Sequence, residues 1–324
     1  MEVTNFEAVS GDNTSDNDAF LQAFKKGTNV FVPAGEYNIN NLGVPGNISI
    51  VGAGNKTIIR KTKGSAGPIF QLEGNDIQIK DMLLIGNIFE EDGEWNHAIN
   101  IRPINKIYKN IKIENIKAVK MHGDGICIGA YQGNAENVEI KNFESDSCYR
   151  NGISITAGKN ISIKNAIIRN SGMFGIDLEI DNGSKDNIEN VTMEESTTCK
   201  IAIVGEGKNI INNVRVKNVI VDQNLFANLY PVPGKPPFHP ESILLRSCKN
   251  ILFDNITFKN SKYNLVKVVE GASDENTKNI KFQKIFSESL TNSTNTELII
   301  APDQMINFER VLHIKPIKKE KIER

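Results

Sequence analysis

Two carboxylates stand two residues apart in the segment GIDLE at 175–179, Asp177 and Glu179. In an extended strand, side chains at i and i+2 share a face, so their Cα atoms should lie about 6.5–7 Å apart. Glycoside hydrolysis needs such a pair, one protonated as acid and one ionised as base or nucleophile. The two groups are held about 5–5.5 Å apart in retaining enzymes and about 6.5–9.5 Å apart in inverting ones. An i, i+2 pair reaches either range, so the stereochemical course stays open. Close acids also split their pKa values, which separates acid from base.

Other residues compete for the same chemistry. Asp124 lies in HGDG at 122–125 and is a third candidate acid, although Asp-Gly is also a turn signal. Asp146 lies in the turn SDSCYRNG. His122 is a candidate proton carrier or a polar turn residue. Tyr149 and Arg150 precede the segment GISI at 152–155 and could flank a groove. Lys200, Arg102 and Arg246 could flank an anionic polymer, and the single tryptophan, Trp95, offers a face for a sugar ring. Tyr, His and Arg together would equally serve a polysaccharide lyase or uronate epimerase, which removes a proton next to a carboxylate. No metal site is expected from a motif. Calcium remains a candidate through Asp124, Asp146 and Asp177, without an EF-hand loop.

The elements that must position these residues repeat along the chain. Asn or Asp followed by apolar, any, apolar occurs as NISI at 47–50, DIQI at 76–79, NIKI at 110–113, NVEI at 137–140, NISI at 160–163, NILF at 250–253 and NIKF at 279–282. NIEN at 187–190 and NIIN at 209–212 are looser copies. Between them run GICI at 125–128, GISI at 152–155, GIDL at 175–178, KIAI at 200–203 and SILL at 242–245. Both elements have the strand period of two. A unit with two short strands cannot bury its own apolar side, and stacking units does. The fold class is therefore all-β, a parallel β-helix of roughly 8–10 coils over residues 1–310. Asn at a repeated corner tolerates left-handed backbone angles and can bond to its copy one coil away.

Aligning the second element predicts one outward row of Asn100, Cys127, Ser154, Asp177, Ala202 and Leu244. A second holds Arg102, Gly129, Thr156, Glu179, Val204 and Arg246. A third holds Ala98, Gly125, Gly152, Gly175, Lys200 and Ser242. Residues 86–97 and 223–240 exceed the repeat and read as inserted loops, the second with Phe226, Tyr230, Phe238, His239 and five prolines. Residues 15–27 read as a capping helix with Ser15 as N-cap, Asp18 as a capping-box acid and Gly27 as terminator. Residues 311–324 read as a basic, solvated tail.

Composition bounds the reading further. The chain has 324 residues and a formal net charge of −1, which argues against a general nucleic-acid binder. No apolar run is long enough for membrane insertion as a helix, and no signal peptide is visible at the start. Four cysteines without a CxxC pair read as free, structural thiols.

The segment GDNTSDNDAFLQAF…VFVPAGEYNI…ISIVGAG, within residues 6–54, resembles the opening of the pectate-lyase-3-like, glycoside-hydrolase-28-like superfamily. That superfamily includes phage tailspikes and polysaccharide depolymerases. The resemblance implies a single-stranded, right-handed β-helix acting on carbohydrate, and GIDLE is similar to a GIDxE segment of bacterial and phage members. The chain lacks the adjacent Asp pair and RIK element of polygalacturonases, and its HG at 122–123 precedes GIDLE. The expected function is hydrolysis of a bacterial surface polysaccharide or exopolysaccharide. Lyase or epimerase chemistry, and a non-catalytic receptor-binding or structural β-helix, are the alternatives. The resemblance further implies an extracellular or virion-associated setting, with a homotrimer or a virion tail as partner.

Overall fold

The computed structural model describes residues 1–88, 93–180, 187–206, 209–227, 239–261, 265–269 and 277–288, and the backbone of 299–300 and 306–313. Two parallel sheets wind through these residues. The shorter sheet has ten rungs, in chain order β1 (Leu42–Pro45), β2 (Phe70–Glu73), β3 (Ile99–Ile101), β4 (Ile126–Ile128), β5 (Ile153–Ile155), β6 (Ile176–Glu179), β7 (Ile201–Val204), β8 (Ile243–Arg246), β9 (Val266–Val268) and β10 (Ile299–Ile300). Each rung pairs only with the rungs before and after it. The chain is thus an all-β solenoid, and the ten rungs agree with the eight to ten coils expected.

The period of two explains which residues turn inward. Ile126, Ile153, Ile176, Ile201 and Ile243 pair in register and are all buried, as are Ile128, Ile155, Leu178, Ile203 and Leu245. Like side chains stack on like side chains, filling the core at crystal-like density. Farther along, Phe253 and Phe282 stack with ring centroids 4.5 Å apart.

The longer sheet carries strands such as Ile107–Val119 and Asn134–Asp146, bent at asparagines in the left-handed region. Asn110, Asn137 and Asn160 have φ of 59°, 57° and 56°. Asn137 Nδ2 donates to Asn110 Oδ1 at 3.2 Å, and Asn160 Nδ2 donates to Asn137 Oδ1 at 3.1 Å. A second ladder, five residues on, joins Asp81, Asn115, Asn142 and Asn165 with bonds of 2.7 Å. The two looser repeat copies are out of phase. Their corner residues are Asn190 (φ 58°) and Asn213 (φ 57°), not Asn187 and Asn209. Asn190 continues the first ladder to Asn160, and Asn213 continues it to Asn190.

A helix, α1 (Asn17–Lys26), covers the first coil with Ala19, Phe20, Ala23 and Phe24 buried. Its N-cap is Asp16 rather than Ser15. The Asp16 carboxylate faces the coil instead of the helix, accepting from Val9 N at 3.0 Å and Asn38 N at 2.8 Å. That bond pattern fastens the cap to the stack. At the other end, strand Ile306–His313 pairs with Lys278–Ser287, so the stack continues past residue 310. The expected tail from 314, Tyr230, Phe238, four of the five loop prolines and residues 89–92 lie outside the described residues.

The ladder makes a stability prediction. Replacing Asn137 by Ala should cost about 2 kcal/mol, combining lost ladder bonds with a left-handed alanine. Asn137→Gly should cost about half as much, since glycine adopts that φ freely. Urea unfolding of both variants checks this, and equal losses would remove the backbone contribution.

Candidate active site

The outward face of the shorter sheet gathers the predicted residues in two rows. Asn100, Cys127, Ser154, Asp177, Ala202 and Leu244 pair in unbroken register. Glu179, Val204 and Arg246 pair beside them. The expected third row is different. A Cβ on Gly125 would lie 2.9 Å from Phe143, and one on Gly152 would lie 2.3 Å from Ile168, both core side chains. The chain turns inward there, so these positions face the interior and only glycine fits.

Asp177 and Glu179 stand where two clefts meet. The first, about 90 Å³, is lined by polar groups: Asp124, Arg150, Arg102, His97, Asp177 and Glu179, with Trp95 at its rim. The second, about 290 Å³, is lined mostly by apolar side chains, including Phe174, Val204 and Leu244, with Arg246 and His239. A groove running across the rungs is therefore polar before the acid pair and apolar after it.

Asn151 organises the acids, and its side chain is fully buried. Its backbone N donates to Asp124 Oδ1 at 2.9 Å. Its Nδ2 donates to Asp177 Oδ2 at 3.1 Å and to Ser154 Oγ at 3.0 Å, while its Oδ1 accepts from Phe174 N at 2.8 Å. The other Asp177 oxygen, Oδ1, is buried without a hydrogen-bond partner. Burial pushes the Asp177 pKa well above the carboxylate range; the negative charges of Glu179 and Asp124 add to this, while Arg150 and the Asn151 bond only partly offset it.

Asp124 is held by further groups. Its Oδ2 lies 3.4 Å from His97 Nδ1, and its Oδ1 lies 3.7 Å from Arg150 Nε. His97 Nδ1 accepts the Asp124 backbone N–H at 2.9 Å, which leaves the ring proton on Nε2. Burial pushes the His97 pKa down, and the attraction of Asp124 does not fully offset it. Burial also opposes the charge on Arg150, but Asp124 and Glu94 outweigh it and hold the guanidinium above its ordinary value. The Arg150–Glu94 ion pair ties residues 93–97 to the cleft. Trp95 is 47% exposed and carries the Arg102 guanidinium 4.3 Å from its ring centroid.

Four predicted residues lie elsewhere or at the margin. Lys200 is buried rather than exposed on the groove. Its Nζ donates to His239 O at 2.9 Å and sits 3.7 Å from the Phe226 ring centroid. Burial lowers its pKa to about 8. Lys200 thus braces the wall that Phe174 and His239 give the second cleft. His122 Nδ1 contacts Ile88 O at 2.8 Å and its ring stacks on Tyr149 at 4.7 Å; neither lines either cleft. Arg246 is on the second cleft, with its Nη2 2.6 Å from Glu206 Oε2.

The calcium trio is not assembled. Asp146 belongs to the longer sheet, where it accepts from Asn170 Nδ2 at 2.8 Å and Ser147 Oγ at 2.8 Å. Among the described residues, His97, Asp124 and Cys127 bring potential ligand atoms within 4.8 Å of one another. A thiol and an imidazole do not suit calcium, and His97 Nδ1 already accepts an amide proton. The four cysteines are free and buried.

His97 and Asn151 were not singled out from sequence. Each sits just before a rung, in WNHAINI and in the Asn-Gly of YRNGISI, and only stacking brings the two turns to Asp124.

These features define a β-solenoid with an acid-lined groove on one face. Residues 97–282 match the family described as right handed beta helix region, so the chain belongs to the right-handed β-helix family. No curated protein matches its sequence. Among solved structures, the chain is similar to the A-module of an Azotobacter vinelandii mannuronan C-5 epimerase, AlgE6, at 14% identity and TM-score 0.65, covering 98% of this chain and 95% of that one. It is also similar to bacteriophage phi29 gene product 12 at 16% identity and TM-score 0.62, covering 89% of this chain and 49% of that one. A third similar structure is tailspike gp49 of Acinetobacter baumannii bacteriophage Fri1, a capsular polysaccharide depolymerase. Identity is 11% and TM-score 0.60, with 94% and 57% covered. The chain therefore spans about half of each phage protein. At these identities the likeness concerns the fold.

Burial of Asp177 predicts a pH signature in stability. A carboxyl whose folded pKa is raised binds its proton more tightly in the folded state, so its ionisation destabilises the fold between about pH 3.9 and the raised value. Asp177→Asn should raise the unfolding midpoint at pH 7 and gain little at pH 3.5. An equal gain at both pH values would contradict the assignment.

Proposed function

We propose that the protein cleaves a polysaccharide by glycoside hydrolysis, with Asp177 as the general acid. The observation that carries this reading is the Asp177 carboxyl, buried, with one oxygen fixed by Asn151 and the other without a partner, at the junction of two clefts. A proton retained there above the pH at which ordinary carboxyls lose theirs is available to a glycosidic oxygen, whose bond to the anomeric carbon breaks as the proton arrives. Glu179, two residues along the same rung, supplies the second carboxyl, which bonds to the anomeric carbon itself or directs the water that does as the glycosidic bond breaks, and its negative charge helps hold the Asp177 proton. Asp124, fixed by Asn151, His97 and Arg150, acts on Asp177 through its charge and positions the network. Trp95 and the apolar second cleft offer surfaces for sugar faces on either side.

The polysaccharide activities of the epimerase and the Fri1 tailspike lend support to a carbohydrate role on this fold. The phage likenesses support an extracellular or virion-borne setting. A homotrimeric assembly is part of the proposal and rests on the resemblance of the sequence alone. A second reading has its own observation. Arg102 and Arg150 line the first cleft beside the acids, where they could neutralise a uronate carboxylate for epimerase or lyase chemistry.

Incubation with a panel of bacterial surface polysaccharides and alginate tests the proposal. Reducing ends should appear, and Asp177→Asn and Glu179→Gln should each lower their release by about 10²–10⁴-fold. Activity of the wild type should fall as pH rises past the raised Asp177 pKa. Unsaturated, ultraviolet-absorbing products would replace hydrolase by lyase, and inverted uronates at constant chain length would point to epimerase. Full activity in both variants would overturn the site.

A further inference from the structure

At the corner between the two sheets, beyond Arg102, lies a groove of about 560 Å³, within the size range of ligand pockets. Its walls hold four side-chain amides, Asn105, Gln132, Asn134 and Asn187, with Ile107 and Glu136. Glu136 is paired with Lys109 at 2.9 Å, which leaves Lys106 as the groove's other charge. This lining contrasts with the charge-rich Asp177 cleft. Amides present a donor and an acceptor side by side, the complement of neighbouring sugar hydroxyls.

The rim of the groove is unusually apolar. Outside the first coil and its cap, the exposed large apolar side chains among the described residues are Trp95, Ile104, Ile107 and Tyr131. Ile107 lines this groove, and Ile104 and Tyr131 are the chain neighbours of its lining residues Asn105 and Gln132. Tyr131 is 56% exposed. The two turns that form the groove are stacked copies. Ile104 bridges Tyr131, Asn105 N donates to Tyr131 O at 2.9 Å, and Asn134 N donates to Lys106 O at 3.0 Å. Asn105 and Gln132 both have left-handed φ, 51° and 53°. Gly133 permits the close approach, since a Cβ there would lie 2.3 Å from Lys106 O. Asn105 and Gln132 are therefore presented from mutually bonded turns, with Asn134 beside them and its Oδ1 buried.

A short stretch of chain links the groove to the acid cleft. Trp95 and Arg102 stack at the cleft's rim, and Arg102 leads through Pro103 and Ile104 to Asn105. Three residues span at most about 11 Å, within the reach of one oligosaccharide.

We propose that this corner groove is a second glycan-binding site, specific for neutral, hydroxyl-rich sugar residues, with Tyr131 as its stacking platform. The site rests on the reading that the chain handles glycans, and it binds without cleaving. It holds a polymer beside the Asp177 cleft and so raises the local concentration of bonds to be cut.

Affinity electrophoresis or calorimetry of the full chain against neutral bacterial exopolysaccharides, including dextran and levan, with alginate as the anionic comparison, tests the site. Wild type should bind at least one neutral polymer. Tyr131→Ala and Asn187→Ala, both changes to surface positions, should weaken that binding by about tenfold, and Tyr131→Phe should preserve it. Neutral-polymer binding unchanged in Tyr131→Ala, or no neutral polymer bound by the wild type, overturns the site. Failure of the hydrolase reading looks different: neutral binding that depends on Tyr131 with no polysaccharide cleaved.

Discussion

Each coil must bury the apolar side of the coil before it, and the chain meets this demand by repeating one register from coil to coil. A rung of three or four residues leaves no freedom to slip, because a shift by one residue would turn every isoleucine outward. The asparagine ladders hold the corners at left-handed φ and bond each coil to the next. Position along the helix axis is therefore set by sequence spacing alone. Asp177 sits beside Ser154 and Ala202 because the rungs before and after it are fixed, not because any local interaction brings them together.

On that rigid face, function depends on what the turns supply. The rungs offer small residues around Asp177 and leave room for a ligand. The turns before them supply His97, Asp124, Arg150 and Asn151, which form a bonded chain reaching Asp177. The result is a carboxyl kept from water and surrounded by negative charge, with one arginine as a partial counterweight. Such a group holds its proton where exposed carboxylates have lost theirs. Catalytic sites commonly use this arrangement of burial and like charge.

Much of this was legible in the sequence. The period of two and the recurring Asn-apolar pattern defined the solenoid, and the two outward rows follow from counting residues along it. The third row was not legible, because parity says nothing about where a strand ends and its chain turns inward at Gly125 and Gly152. Lys200 shares that row, and its burial depends on Phe226 and His239, which arrive from an insertion with no repeat to align. NIEN carries asparagine at both ends, and NIIN is followed directly by Asn213, so pattern alone could not show which asparagine turns the corner. The Asn151 network was hidden for a related reason. Its partners are separated by 23 to 27 residues and meet only when coils stack.

Burial and the charge of Glu179 make Asp177 hold its proton to a higher pH than ordinary carboxyls do. Carbon-13 NMR titration of the aspartate carboxyl carbons measures this directly, with Asp177→Asn identifying the resonance. One carboxyl should titrate well above the others, and move back toward them in Glu179→Gln. An Asp177 carboxyl that titrates with the ordinary surface acids would contradict it.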